Sequence, residues 1–133
     1  MCAQRYEDLD AWQLADELKK KVYALIDSSP ARNDFDFRDQ VRDSLSSATT
    51  NIAEGFGYYD HGLFARHVRI ARASEMETHN HLADGVQRGY WTDDQVSPLQ
   101  HLAKRAMGAA TGLLRYLDTS EAPQRWKKSR RRR

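Results

Sequence analysis

Apolar residues recur along this chain at steps of three and four, the spacing of helices that each bury one stripe. The first stripe carries Trp12, Ala15, Leu18, Val22, Leu25 and Ile26. Its start falls at Asp8 or Asp10, either of which can cap exposed backbone N–H groups. Asp27-Ser28-Ser29-Pro30 ends it, because proline disfavours α geometry in the residue before it. The second stripe is Phe37, Val41, Leu45, Ala48 and Ile52, beginning around Asp34 to Asp36. Gly55 and Gly57 are expected to close that helix and give the chain freedom to turn. Asp60 caps a third helix reaching about Arg88, with Phe64, Val68, Ala71, Leu82 and Val86 inward and either Glu75 or Met76 completing the seam. Gly89 suits the left-handed position beyond it. A fourth helix carries Leu99, Leu102, Ala106, Ala109, Ala110, Leu113, Leu114 and Leu117. It starts at the capping box Thr92-Asp93-Asp94-Gln95 or at Ser97-Pro98.

Four helices on short connections predict an all-α fold, an antiparallel up-down-up-down four-helix bundle. With 133 residues the chain has room for one core. A mean hydropathy of −0.82 makes that core narrow. The periodicity stops at Thr119, so residues 1–118 are assigned to the bundle and 119–133 to a C-terminal tail expected to be disordered when unbound.

Charge changes the picture. The net value of +2 hides a tail with seven basic side chains and one acid, which leaves residues 1–118 at −4. Arg125, Lys127, Lys128, Arg130, Arg131, Arg132 and Arg133 can displace counterions from a phosphate backbone. Trp126 among them can stack on an unpaired base. On the body, Arg66, Arg69 and Arg72 recur every three residues and form a candidate basic strip that Arg38 and Arg42 can join. The plainer expectation is that these arginines pair with Asp36, Asp39 and Asp43 and keep the protein soluble. RNA or DNA is thus the expected partner. The alternative is a protein-interaction module whose acidic body holds a protein, with the tail tuning only solubility or location.

Other chemistries find little support. Cys2 is the only cysteine, which excludes an internal disulfide and a CxxC zinc site. Glu75-His79 and Glu77-His81 have four-residue spacing and read as surface pairs, whereas di-iron bundles use Glu-x-x-His. No arginine lies five residues before any histidine, as an Arg-x-x-x-x-His ribonuclease motif requires, and no GxxxxGK phosphate loop occurs. The expectation is a non-enzyme without metal or cofactor. No signal-like or membrane-spanning apolar run is found, so a cytoplasmic location is expected, with no membrane partner.

One segment is more specific. Gln40, Arg42, Ser47 and the run Asn51-Ile52-Ala53-Glu54-Gly55 resemble the Q-x-R…S-x-x-x-N-I-A-E-G core of the 23S ribosomal RNA intervening-sequence proteins. These bundles are related to the accessory variability protein of diversity-generating retroelements. Tyr6, Leu9, Trp12 and Ala15 resemble that family's first helix; Phe64, Ile70, Ala71, Ser74 and Glu77 its third; Gly89-Tyr90 its turn before the fourth. The resemblance implies a self-assembled ring, a homopentamer, serving as a nucleic-acid-binding or accessory scaffold beside a processed ribosomal RNA or a reverse transcriptase. Gln40, Asn51, Glu54 and Gly55 are its signature positions. The chain departs from the family at Asp43 and Tyr58, where basic residues are usual. Asn51 and Glu54 are read as hydrogen-bonding groups that lock the second helix to its neighbours.

Overall fold

The computed structural model describes residues 3–119; the tail residues 120–133, including every predicted tail contact, lie outside the described part. Four helices account for nearly all of it: α1 (Asp10–Asp27), α2 (Phe35–Gly57), α3 (His61–Gln87) and α4 (Asp93–Leu117). Short 3₁₀ turns at Tyr6–Asp8 and Pro30–Asn33 lead into α1 and α2. Among the described residues there is no strand.

Cross-helix hydrogen bonds fix the topology. Between α1 and α2 the partners are Lys19 with Thr49, Tyr23 with Ser46, and Asp27 with Arg42. Between α2 and α3 they are Ser44 with Thr78, Ser47 with Ser74, and Asn51 with His67. As one number rises the other falls, which is the signature of antiparallel neighbours. Arg72 with Thr111 and Arg69 with Asp118 extend the same rule to α3 and α4. Contacts between α1 and α4 close the ring of four.

The termini follow side-chain chemistry. Asp34 accepts from the Phe37 N–H at the start of α2 and Asp60 from the Leu63 N–H at the start of α3. Thr92 and Gln95 form the expected reciprocal box, so α4 begins at Asp93 and Pro98 lies inside it. The cap expected for α1 is not there. Leu9 holds the position with no side-chain bond, while Asp8 accepts from the Gln4 and Arg5 N–H groups of the preceding turn. Asp10 is instead the first helical residue, where its charge suits the helix dipole.

The second helix also departs from expectation. It runs through Gly55 to Gly57, and the left-handed residue of the turn is Tyr59, at φ 53°. Gly55 serves close packing: a Cβ there would lie 2.8 Å from the Phe64 ring and from the His67 Cβ. Gly89, at φ 78°, takes the left-handed position predicted for it.

Buried side chains form two apolar clusters along the bundle. One contains Ala15, Ile52, Phe64, Val68 and Leu113, the other Leu18, Val22, Leu45, Leu82 and Leu102. Glu75 lies at the level between them and is 1% exposed, with both carboxylate oxygens unpartnered, while Met76 faces solvent. The seam position is therefore Glu75, and its reading as a surface pair with His79 is overturned. Burial pushes its carboxyl up to about 8, with Arg72 opposing. Glu77 and His81 do form the exposed pair expected of them, at 3.3 Å.

Trp91 closes one end of the bundle, its Nε1–H donating to the Leu82 carbonyl at 2.8 Å. Beside it, Tyr90 donates to Asp34 and Arg88 pairs with both Asp34 and Asp84, tying the start of α2 to the α3–α4 turn. The Tyr90 hydrogen bond, foremost, holds the Asp34 carboxyl below its ordinary range. No helix among the described residues is long and apolar enough to cross a membrane.

Candidate nucleic-acid interface

Helix α3 turns ten residues inward, from His61 to Gly85, and leaves a long face to solvent. Helical geometry divides that face lengthwise. Arg69 and Arg72 lie on the shoulder towards α4, where Arg72 Nε–H donates to Thr111 Oγ1 at 3.0 Å. Arg69 pairs with Asp118 at 3.8 Å. Leu63 and Ile70, respectively 37% and 42% exposed, share the opposite shoulder with His67 and Ser74, which bond to α2. Arg66 stands between the shoulders, exposed and without an ion pair among the described residues.

Three guanidinium groups on one helical face can each present a fork of N–H donors to phosphate oxygens. The Arg69–Asp118 pair has a further consequence. Asp118 is the residue at which the chain leaves α4, so that exit lies beside the arginine strip.

Arg38 and Arg42 do not join that strip. In the α2–α3 register they stand level with the C-terminal third of α3, with Arg42 turned towards α1 and Arg38 towards the turn that leads into α2. Arg42 bonds Asp27 at 3.1 Å and lies over the Tyr23 ring. Arg38 bonds Asp39 and the Arg32 carbonyl and lies over Phe35. Among the described residues only Asp39 of the predicted acidic partners is engaged; Asp27 was not foreseen, because it comes from the end of another helix. In the lysine run of α1, Lys20 and Lys21 are solvated and pair with Asp16 and Glu17, whereas Lys19 is half-buried between Asp16 and Thr49 of α2.

Of the signature residues, Asn51, Glu54 and Gly55 lie on the α2–α3 seam. Asn51 donates to the Ser47 carbonyl at 2.8 Å and to its hydroxyl at 3.1 Å. Its amide oxygen can only accept, so His67 Nδ1 carries the proton of their 2.9 Å bond. Glu54 lies 3.7 Å from the same nitrogen, and Tyr58 stacks on the His67 ring. Ser74 donates to Ser47 at 2.8 Å, completing a chain of polar contacts. Sequence reasoning named Asn51 and Glu54 but missed His67, whose only signal was its place in a stripe not yet paired with α2. Gln40 is exposed.

Tyr58 and Tyr59 are each more than half exposed, whereas Trp91 is buried and Tyr90 partly so. Among the described residues no group of three or more histidine, cysteine, aspartate or glutamate side chains is placed to hold a metal ion.

A family model described as 23S rRNA-intervening sequence protein matches residues 7–111, from the turn before α1 into the last two turns of α4. No curated protein matches the chain significantly.

Proposed function

The chain belongs to the 23S rRNA-intervening sequence protein family, and from that premise we propose that it binds RNA or DNA as a self-assembling, non-enzymatic scaffold. One observation carries this reading. The exit of the chain from α4 is joined to the α3 arginine strip by Arg69 and Asp118, so Arg66, Arg69 and Arg72 adjoin the origin of a tail with seven further cations. One phosphate backbone can engage both, and tails multiplied by self-assembly act by avidity.

Self-association is supported by the other shoulder of α3. Leu63 and Ile70 stand one heptad apart there, with Tyr58 and Tyr59 close by, and apolar side chains with adjacent tyrosines suit subunit contact. From the family resemblance we read the assembly as a pentameric ring, with a reverse transcriptase as its protein partner. A cytoplasmic location goes with this reading, because ribosomal RNA is found there.

The test compares RNA and DNA binding by the full chain and by a chain ending at Asp118, across a salt series. Tight binding by the full chain that weakens steeply with salt, with weaker binding left after truncation, is the expected result. Absence of binding by both at low salt sinks the proposal. A stoichiometric protein complex surviving high salt then favours the interaction-module alternative.

A further inference from the structure

On the opposite side of α4 from the arginine strip, the seam with the N-terminal segment leaves a groove of about 620 Å³. Leu9, Ala11 and Leu113 form its floor, Tyr116 stands at one end, and Asp8 and Asp10 are on its rim. Past Asp10 and Ala109 it continues along α1 and α4 to Glu17 and Arg105. Its wall includes Gly112, where a Cβ would meet nothing within 4 Å, as at Gly108 one turn earlier. Glycine weakens a helix interior, and the described packing requires none at either position. A flat ring set against Gly112 would use the bare backbone.

The rim is acidic and incompletely matched. Asp8 accepts two backbone N–H bonds, and Asp10 has no ion pair among the described residues. The chain continues beyond Thr119, three residues past Tyr116, for fourteen more residues. From Thr119 to Trp126 an extended chain reaches roughly 23 Å. The groove, followed along α4 from Tyr116 to Arg105, is about 16 Å long. A segment doubling back beside α4 can therefore set Trp126 against Gly112 and bring Arg125, Lys127 and Lys128 to Asp8 and Asp10. On the other side of α4, Arg66, Arg69 and Arg72 repel it.

We infer that this groove is the resting seat of the chain's own basic segment, residues 120–133, and that seating withholds the segment from nucleic acid. The second clause rests on the binding reading above; the first stands without it. Groove and phosphate compete for the same cations, so each weakens the other by the same factor.

The seat is tested on the full chain without nucleic acid. Cys2→Ser and Ser129→Cys allow a single nitroxide label on the segment, and ¹⁵N spectra report the amides of Ala109 and Gly112. Loss of those signals at low salt, reversed by reducing the label, is expected. Asp8→Asn with Asp10→Asn restores them, and so does Gly112→Leu, which fills the open space without disturbing the core. Unbroadened signals overturn the inference. So does broadening seen only when ¹⁵N chains are mixed with separately labelled chains, which assigns the occupant to a second copy. The Asp8→Asn, Asp10→Asn protein should also bind a single-stranded uridine oligonucleotide about fivefold more tightly at low salt, the worth of two surface ion pairs. Unchanged affinity in a protein that shows the broadening overturns the withholding step. Binding by no form while the broadening persists leaves the seat standing and removes the nucleic-acid reading instead.

Discussion

A carboxyl group buried between two apolar clusters without a hydrogen bond makes Glu75 the least expected residue of the core. It is tolerated because burial keeps it protonated, with its pKa raised to about 8 against an ordinary 4.5. Between those values the unfolded chain gives up the proton and the folded chain keeps it. Stability is therefore fullest below about pH 4.5 and falls as pH rises towards 8, by at most about 1.4 kcal/mol per unit. Urea unfolding of the parent at pH 5.5 and 8.5 should show a loss of a few kcal/mol. Glu75→Gln cannot ionise and should largely lose that difference, becoming the more stable protein at pH 8.5. A parent curve as flat as the variant's rejects this account. Two glycines provide a contrast of a different kind. A Cβ at Gly85 would lie 2.1 Å from the buried Trp91 ring, whereas one at Gly57 meets nothing. Gly85→Ala should cost about 3 kcal/mol, as overpacking does. Gly57→Ala, at the last residue of α2, should gain about a few tenths of a kcal/mol from a less flexible unfolded chain. Thermal unfolding of both distinguishes close packing from a mere preference for small residues.

At the scale of helices, the α2–α3 seam is held by small polar side chains where apolar ones would ordinarily serve. Ser44 with Thr78, Ser47 with Ser74 and Asn51 with His67 mark successive levels of it. Asn51→Ala leaves His67 and Ser47 short of a partner and should cost about 1–2 kcal/mol. A double-mutant cycle with His67→Ala should recover coupling of about 1 kcal/mol, and strict additivity would reject the link. This seam also divides what the sequence could tell from what it could not. Stripes such as Leu99, Leu102, Ala106 and Leu113 and the caps Asp34, Asp60 and Thr92 are local patterns, and they gave all four helices. Asn51 and Glu54 stood out because polar groups beside a buried stripe need partners. Their partner His67 lies on another helix, and no local rule pairs the two. Gly55 was misread for the same reason: its role is set by Phe64 and His67 across the seam, and the turn passes to Tyr59. Arg38 and Arg42 were drawn towards α3 by composition, but Asp27 at the far end of α1 engages Arg42.

For the whole molecule, the division of charge decides how binding should respond to salt. The body carries −4 and residues 119–133 carry +6, so a polyanion is attracted to one region and repelled by the average of the rest. Seven tail cations, if all engage a single strand, give a log–log salt slope of about −5. The three α3 arginines add roughly −2 on the same scale. A chain ending at Asp118 should therefore keep only the smaller slope along with its helical signal, because the described residues of both apolar clusters all precede Asp118. Arg66→Ala, Arg69→Ala and Arg72→Ala together in the full chain should remove the smaller slope and keep the larger. Arg38→Ala and Arg42→Ala, whose side chains are held away from that strip by Asp39 and Asp27, should leave the slope unchanged. If the α3 triple variant also leaves it unchanged, the exit beside Arg69 is an accident of packing and the tail acts alone. If truncation removes binding that the triple variant had already abolished, strip and tail hold one phosphate path together.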